Sequence, residues 1–169
     1  MEKWYAIYTR PKHENKVYDQ LVEKDIEAFL PLVPRIRIWK DRKKKLMMPM
    51  FTSYLFAYFD YKNRFDVLHC KGVVKIVNFR GKPAVVPEWQ ISSLKRMLEF
   101  PDQIVVENYV RPGEIVRVIA GPFFGMQGMV KEIRGTNRLV VSIDGIMQAV
   151  SVGIDTAQVE RVKNVQDSI

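Results

Sequence analysis

Gly121-Pro-Phe-Phe-Gly-Met-Gln-Gly128 stands between two alternating apolar runs, Val116-Arg-Val-Ile119 and Met129-Val-Lys-Glu-Ile133. Each run reads as a strand with one buried face. The glycines between them can take backbone angles closed to other residues, so the block predicts a hairpin with Phe123 and Phe124 as apolar bulk at its tip. Further short strands are predicted near 128–134, 138–143, 146–152 and 157–162. With a first strand at 115–120, these make a small β-barrel over residues 111–163, whose core has to be economical and complete. Gly121, Gly125, Gly128, Gly135, Gly145 and Gly153 interrupt any helix here, so the barrel is expected to be stable in the free protein.

Upstream the pattern changes. Lys3-Trp-Tyr-Ala-Ile-Tyr-Thr9 predicts an opening strand, rich in aromatic and β-branched residues. Pro11 fits the first turn of a helix carrying Val17, Tyr18, Leu21 and Val22 to about Lys24. Phe29 to Trp39 returns to alternation, with Pro31 and Pro34 marking an irregular start or an edge. Lys40-Asp-Arg-Lys-Lys-Lys45 predicts a charged hairpin tip, and Tyr54-Leu-Phe-Ala-Tyr-Phe59 a central strand. A short helix over Lys62–Cys70 is expected to turn Phe65 and Leu68 inward, followed by a strand over Val73–Phe79. Pro87 opens a helix with Ile91, Leu94 and Leu98 on one face. The fold class is therefore α+β, with an α/β sandwich on a mixed, mainly antiparallel sheet over 1–100. A linker over 101–110, the barrel over 111–163 and a tail over 164–169 follow.

The chain has 169 residues, 47% of them hydrophobic, which suffices for packed cores. No run approaches the ~20 apolar residues of a membrane span, and Met1-Glu-Lys-Trp-Tyr5 lacks a signal-peptide core. The single Cys70 has no disulfide partner in the chain. A cytoplasmic, monomeric protein away from membranes is expected. The net charge of +8 is divided unequally: residues 1–100 hold 20 Lys or Arg against 11 Asp or Glu, and residues 101–169 hold 7 against 8. The basic excess favours an N-terminal part facing an acidic partner, nucleic acid first. With only His13 and His69, scattered acids and one Cys, the chain offers neither a nucleophile–base pair nor a metal site. No catalysis and no cofactor are expected.

Arg111-Pro-Gly-Glu114 precedes the opening block and Asn137-Arg-Leu-Val-Val-Ser142 follows it. Together they closely resemble a KOW motif, the mark of small β-barrel modules in transcription elongation factors and ribosomal proteins. Trp4-Tyr-Ala-Ile-Tyr8, Phe51-Thr-Ser-Tyr-Leu-Phe56, Gly72-Val73 and Pro83-Ala-Val-Val-Pro87 add an N-terminal signature. Over roughly residues 3–163 the chain thus resembles the NusG family of transcription elongation factors, which pairs an NGN domain with a KOW domain. At the second block the family often has Phe-Pro-Gly-Tyr or Phe-Pro-Asn-Tyr. Arg10-Pro-Lys-His-Glu14, Phe29-Leu-Pro-Leu32, Trp39-Lys-Asp-Arg-Lys43 and Tyr54-Leu-Phe56 are similar to the specialised UpxY and RfaH types, which serve long operons such as those for surface polysaccharides.

The resemblance implies an NGN surface seated on the clamp helices of RNA polymerase's largest subunit, with Trp4, Tyr8, Phe51, Tyr54 and Phe56 at the matching aromatic positions. Because strand aromatics alternate between faces, Tyr8, Phe51 and Tyr54 are expected at the interface, and Trp4 and Phe56 in the core. Lys40, Arg42, Lys43, Lys44 and Lys45 would meet upstream or non-template DNA without reading sequence. Some family members read non-template bases with an Asn-Thr pair before Pro-Gly-Val. Here His69-Cys70 precedes Lys71-Gly72-Val73, which departs from thymine-tract recognition but leaves His69 to stack on a base and Lys71 or Arg64 to hold phosphate. In the barrel, Phe123, Phe124 and Met126, extended by Ile146 and Met147, match positions implied in docking the ribosomal protein NusE or the termination factor Rho. Phe123 has a competing role as a plug of the barrel floor, and Met126 is the stronger expectation for the surface. The competing functions are an RNA-binding KOW module that reads an RNA hairpin, with the Lys43–Lys45 charges or Arg134 and Arg138 carrying the contact, and the housekeeping type of the same family.

Overall fold

The computed structural model describes residues 1–109 and 113–162. Arg111 and Pro112 of the KOW block and the tail over 164–169 lie outside the described residues. The chain divides into two compact units, Met1–Glu88 and Trp89–Ile169.

In the first unit, β1 (Glu2–Thr9) is followed by α1 (Glu14–Glu23), β2 (Glu27–Phe29), β3 (Leu32–Trp39), β4 (Arg42–Pro49) and β5 (Tyr54–Asp60). Then come α2 (Arg64–Leu68), β6 (Val73–Ile76), β7 (Asn78–Phe79), β8 (Lys82–Pro83) and β9 (Val85–Val86). The main sheet runs β2-β5-β1-β6, with β9 also paired to β1. Every strand pairing among the described residues is antiparallel. The period-two register sorts the two central strands cleanly. Tyr5 and Ile7 of β1, with Leu55, Ala57 and Phe59 of β5, form one core with Val17 and Leu21 of α1, Val67 and Cys70 around α2, and Ile76. Each large apolar side chain buried here contributes about 1.5–3 kcal/mol.

Between Met50 and β5 the chain turns on Ser53, whose φ of 67° lies in the left-handed region. This is the third position of Phe51-Thr-Ser-Tyr54, where the resembled pattern has glycine or asparagine, and its left-handed φ explains that preference. The turn is tied down on both sides: the Ser53 amide donates to Glu14 Oε1 at 2.8 Å, and its carbonyl accepts from the Thr9 amide at 2.8 Å. Glu14 is a carboxylate buried to 4% exposure. Ser53→Gly is expected to stabilise the chain by about 0.5 kcal/mol, because relief of left-handed strain exceeds glycine's extra unfolded-state freedom. Glu14→Ala is expected to cost about 2 kcal/mol by leaving a buried amide unpaired. Urea titration of both variants checks the opposite signs.

Several expectations change. Pro11 lies in a turn before α1 rather than in its first turn; Lys12, at φ 63°, reverses the chain there. Of the expected tip Lys40–Lys45, only Lys40 and Asp41 turn; Arg42 to Lys45 belong to β4, which pairs with β3 along all eight residues from Leu32↔Pro49 to Trp39↔Arg42. The strand expected over Val73–Phe79 breaks after Ile76, and Asn78–Phe79 pairs instead with Lys82–Pro83. Leu68 is half-buried but Phe65 is 54% exposed; Val67 and Cys70 take the inward positions. A helix of five residues is too short for its periodicity to be read from sequence.

The second unit holds α3 (Glu88–Met97) from its second residue onward, then β10 (Val105–Asn108), β11 (Val116–Val118), β12 (Gln127–Ile133), β13 (Thr136–Ile143), β14 (Gln148–Gly153) and β15 (Val159–Arg161). Its sheet runs β10-β14-β13-β12-β11-β15, the order of a small antiparallel barrel. Gly121 and Gly125 take φ of 84° and 85° in the turn between β11 and β12. Residues Leu139 to Ile143 are buried without alternation, because α3 lies against the barrel strands. Gln90 Nε2 donates to the Ser142 carbonyl at 3.0 Å, while Ser93 Oγ donates to the Gln127 carbonyl at 3.0 Å and accepts from its amide at 3.2 Å. Ile91, Leu94 and Met97 are fully buried, Met97 taking the place expected for Leu98.

The stretch expected as a linker is ordered over most of its length. Pro101–Gln103 forms a short 3-10 turn, and β10 adds to the free edge of β14 in the register Val105↔Ser151 to Asn108↔Gln148.

Candidate functional surfaces

The face of the first sheet opposite the helices is aromatic. Register pairs Tyr8 with Tyr54, Ala6 with Phe56 and Trp4 with Tyr58, so Trp4, Tyr8, Tyr54, Phe56 and Tyr58 all share one face. Cover along the strands, not alternation between faces, separates them. Trp4 is buried at 3%, its indole N–H donating to Glu88 Oε2 at 2.7 Å, and its ring tilts against Tyr58 at 5.4 Å. Phe56 is fully buried. Phe51 is fully buried too, edge-on to Phe56 with ring centroids 6.2 Å apart, so in the free chain it is a core residue and does not line the surface. Tyr8 and Tyr54 remain half-exposed with ring centroids 5.3 Å apart. Burial, and then the neighbouring Tyr8, hold the Tyr54 phenol above its ordinary pKa of 10.0, so at neutral pH Tyr54 presents an uncharged ring with its hydroxyl group.

The basic candidates gather on a two-stranded ribbon. Lys40, Arg42, Lys43, Lys44 and Lys45 are all exposed. Cross-strand pairing brings to them Arg35 and Arg37, which the charge run alone did not reveal: Arg37 stands opposite Lys44. On that face the Lys44 ammonium lies 5.2 Å from the Trp39 ring centroid, and Trp39 is 50% exposed. The other face pairs Ile36 with Lys45 and Ile38 with Lys43, both isoleucines exposed. The first unit carries 18 Lys or Arg against 10 Asp or Glu, whereas the second carries 9 of each. A ribbon with this much exposed cation suits a polyanion.

The loop over His69–Gly72 is held against α1 by Gln20. Its side-chain amide donates to the Lys71 carbonyl at 2.9 Å and accepts from the Lys71 amide at 2.8 Å, a clamp that sequence reading missed because the partners lie 51 positions apart. His69 and Lys71 are exposed, and Arg64 is half-exposed. Cys70 is buried and its thiol is pushed up by burial. Among the described residues, no group of three or more His, Cys, Asp or Glu is arranged to hold a metal ion.

On the barrel the five candidate positions part company. Phe123, Met126 and Ile146 are buried, and Phe123 packs edge-on against Phe100 at 5.2 Å. Phe124 and Met147 are exposed at 66% and 55%. The strongest expectation, Met126, therefore lies inside the barrel of the free chain: the tight turn from Gly121 to Gly125 lifts Phe124 outward and folds Met126 back, its amide bonded to the Phe123 carbonyl at 3.0 Å. Arg134 and Arg138 both flank Glu107, with Arg138 Nε 3.7 Å and an Arg134 guanidinium nitrogen 3.4 Å from the carboxylate; the Arg134 side chain remains 77% exposed and that of Arg138 only 16%.

No helix among the described residues is long and apolar enough to cross a membrane. The family model "Transcription termination factor nusG" matches residues 2–95, and that of the KOW motif matches residues 112–144. The chain is 24% identical to the transcription termination/antitermination protein NusG of Pseudomonas aeruginosa, covering 95% of this chain and 99% of that protein. It is 29% identical to the NusG of Staphylococcus epidermidis, covering 95% and 96%. Among solved structures it aligns with "Domain interaction in Thermotoga maritima NusG" at 23% identity, over 96% of this chain and 98% of that one, with a TM-score of 0.46. The family-model matches over residues 2–95 and 112–144, which fall on the aromatic N-terminal sheet and the C-terminal antiparallel strands, make the chain a member of the NusG family of transcription factors, with an NGN domain and a KOW motif.

Proposed function

We propose that the chain is a cytoplasmic elongation and antitermination factor, without catalytic activity, whose first unit binds RNA polymerase on the clamp helices of the largest subunit. The half-exposed Tyr8–Tyr54 pair, on the same sheet face as the buried Phe56, carries the reading. Rigid aromatic rings give large contact area at small entropy cost and are the side chains that dominate interfaces. Binding that favours the actively elongating state of the polymerase suppresses pausing by shifting population. The ribbon with Arg35, Arg37 and Arg42–Lys45 adds a salt-dependent contact to upstream or non-template DNA. The barrel takes a protein partner, NusE or Rho, through exposed Phe124 and Met147. The basic tip and the Tyr54-Leu-Phe56 block favour a specialised factor of the UpxY or RfaH type over the housekeeping one, with long polysaccharide-type operons as its targets.

Single-round transcription by the cognate polymerase through a pause site tests this. The wild-type chain shortens pause lifetime, and Tyr8→Ala with Tyr54→Ala abolishes the effect at equal concentration. No effect of the wild-type chain on pausing or on termination would overturn the reading. Replacing Lys43, Lys44 and Lys45 by Ala is expected to lower the slope of log affinity for DNA against log salt by about 2–3, from ~0.9 per lost phosphate contact. Fluorescence anisotropy over a salt series checks it.

A further inference from the structure

We propose that Glu14 is a positioning residue for polymerase binding: its buried carboxylate holds the Ser53 turn and, through that turn, sets the Tyr54 ring beside Tyr8. The inference rests on the polymerase reading of that ring pair and adds the device that forms the pair in advance. Glu14 is the first residue of α1, the helix whose Val17 and Leu21 pack on the sheet face opposite the two rings. At 4% exposure it is out of reach of a partner, so any effect it has on binding passes through other residues. Burying a carboxylate is costly unless it is hydrogen-bonded, and this one is spent on a backbone group: the Ser53 amide donates to Glu14 Oε1 at 2.8 Å.

From Ser53 the constraint reaches both rings. Ser53 sits at a φ of 67°, a conformation that a residue other than glycine keeps only when its neighbours over-determine it. Its carbonyl accepts from the Thr9 amide at 2.8 Å, and the Tyr54 amide donates to the Phe51 carbonyl at 3.1 Å, which closes the turn. Thr9 follows Tyr8 and Ser53 precedes Tyr54, so the bond between them ties the backbone beside one ring to the backbone beside the other. Thr9 and Ser53 are themselves buried, at 0% and 7% exposure. The register Tyr8↔Tyr54 then leaves the ring centroids 5.3 Å apart at 40°. Without the carboxylate, the Ser53 amide loses its acceptor and the turn is free to leave the left-handed region, carrying Tyr54 with it. Rings already in the binding arrangement lose less freedom on contact, which is where affinity is gained.

The test measures affinity of the full chain for purified cognate core RNA polymerase, at a temperature where circular dichroism shows every variant folded. Glu14→Ala is expected to weaken binding about fivefold, the cost of ordering one or two loosened side chains. Glu14→Gln keeps an acceptor for the Ser53 amide and is expected to restore most of the affinity. Val17→Ala removes core packing from the same helix without touching the turn, and is expected to lower the urea midpoint while leaving affinity at the wild-type level. In a Tyr54→Ala background, Glu14→Ala is expected to cost nothing further, because the ring it positions is gone. Wild-type affinity in Glu14→Ala, with Tyr54→Ala still weakened, overturns the proposal and leaves the polymerase reading standing. Equal loss in Val17→Ala also overturns it, since stability rather than position is then at stake. Additive losses in the double variant, or no rescue by Glu14→Gln, overturn it as well. No binding by the wild-type chain removes the polymerase reading itself.

Discussion

Glu107→Ala is expected to destabilise the second unit by about 2–3 kcal/mol, a large effect for a residue in a stretch that reads as a linker. The Glu107 side chain is 8% exposed. One carboxylate oxygen accepts from Ser151 Oγ at 2.8 Å and lies 3.7 Å from Arg138 Nε, and the other lies 3.4 Å from Arg134. Arg138 in turn donates to Ser151 Oγ at 2.7 Å and to the Ser151 carbonyl at 3.1 Å. Removing the carboxylate leaves a guanidinium group that is only 16% exposed without its counter-charge. The Arg134 contact is discounted because that side chain is 77% exposed. The loss should appear first in β10, whose four residues are held to β14 by this network and by backbone pairing. Amide exchange at Val105–Asn108 is therefore expected to accelerate more than exchange in β13. Glu107→Gln, which keeps an acceptor for Ser151, should lose about half as much. A loss below about 0.5 kcal/mol in Glu107→Ala would mean that water satisfies Arg138, as at an exposed pair.

Gly128→Ala is expected to cost a further kind of stability, about 2–3 kcal/mol, through sterics alone. A Cβ at this position would stand 2.8 Å from the Val140 carbonyl oxygen and 3.2 Å from the Leu139 side chain. The oxygen belongs to β13, whose register with β12 is fixed at Met129↔Val140 next door, so it cannot withdraw without parting the strands. Gly153→Ala is the control, because there a Cβ meets only an Arg138 nitrogen at 4.0 Å. Urea denaturation followed at β-sheet wavelengths should separate the two variants widely. Equal stability of the two would contradict the close approach.

Much of the fold could be read from the chain because local chemistry and tertiary structure agree there. The glycine turns and two-residue alternation of 116–161 predict the barrel strands, and the aromatic runs of β1 and β5 predict the central pair. What escaped reading depends on distant partners. Arg42-Lys-Lys-Lys45 has the composition of a solvated loop, and only the facing strand from Leu32 makes it β4. The short β10 becomes a strand because the edge of β14 is open to it. At the surfaces, Tyr8 and Tyr54 stay half-exposed. Phe51 and Met126 do not, since a turn's side chains point wherever the backbone angles of their neighbours send them. Phe65, expected inward, is exposed because a five-residue helix is too short for its periodicity to be read, and Gln20 gave no sequence signal, as a clamp across the fold has no local pattern.

The most direct test of the central claim is binding of purified cognate core RNA polymerase by the full chain and by Tyr54→Ala, with folding of both checked by circular dichroism. Tight binding by the wild-type chain is expected, with binding by the variant at least tenfold weaker, a loss of about 1.4 kcal/mol. Equal affinity of the two would remove the Tyr8–Tyr54 face as the contact. Absence of binding by the wild-type chain would contradict the polymerase reading and turn attention to the RNA-binding alternative.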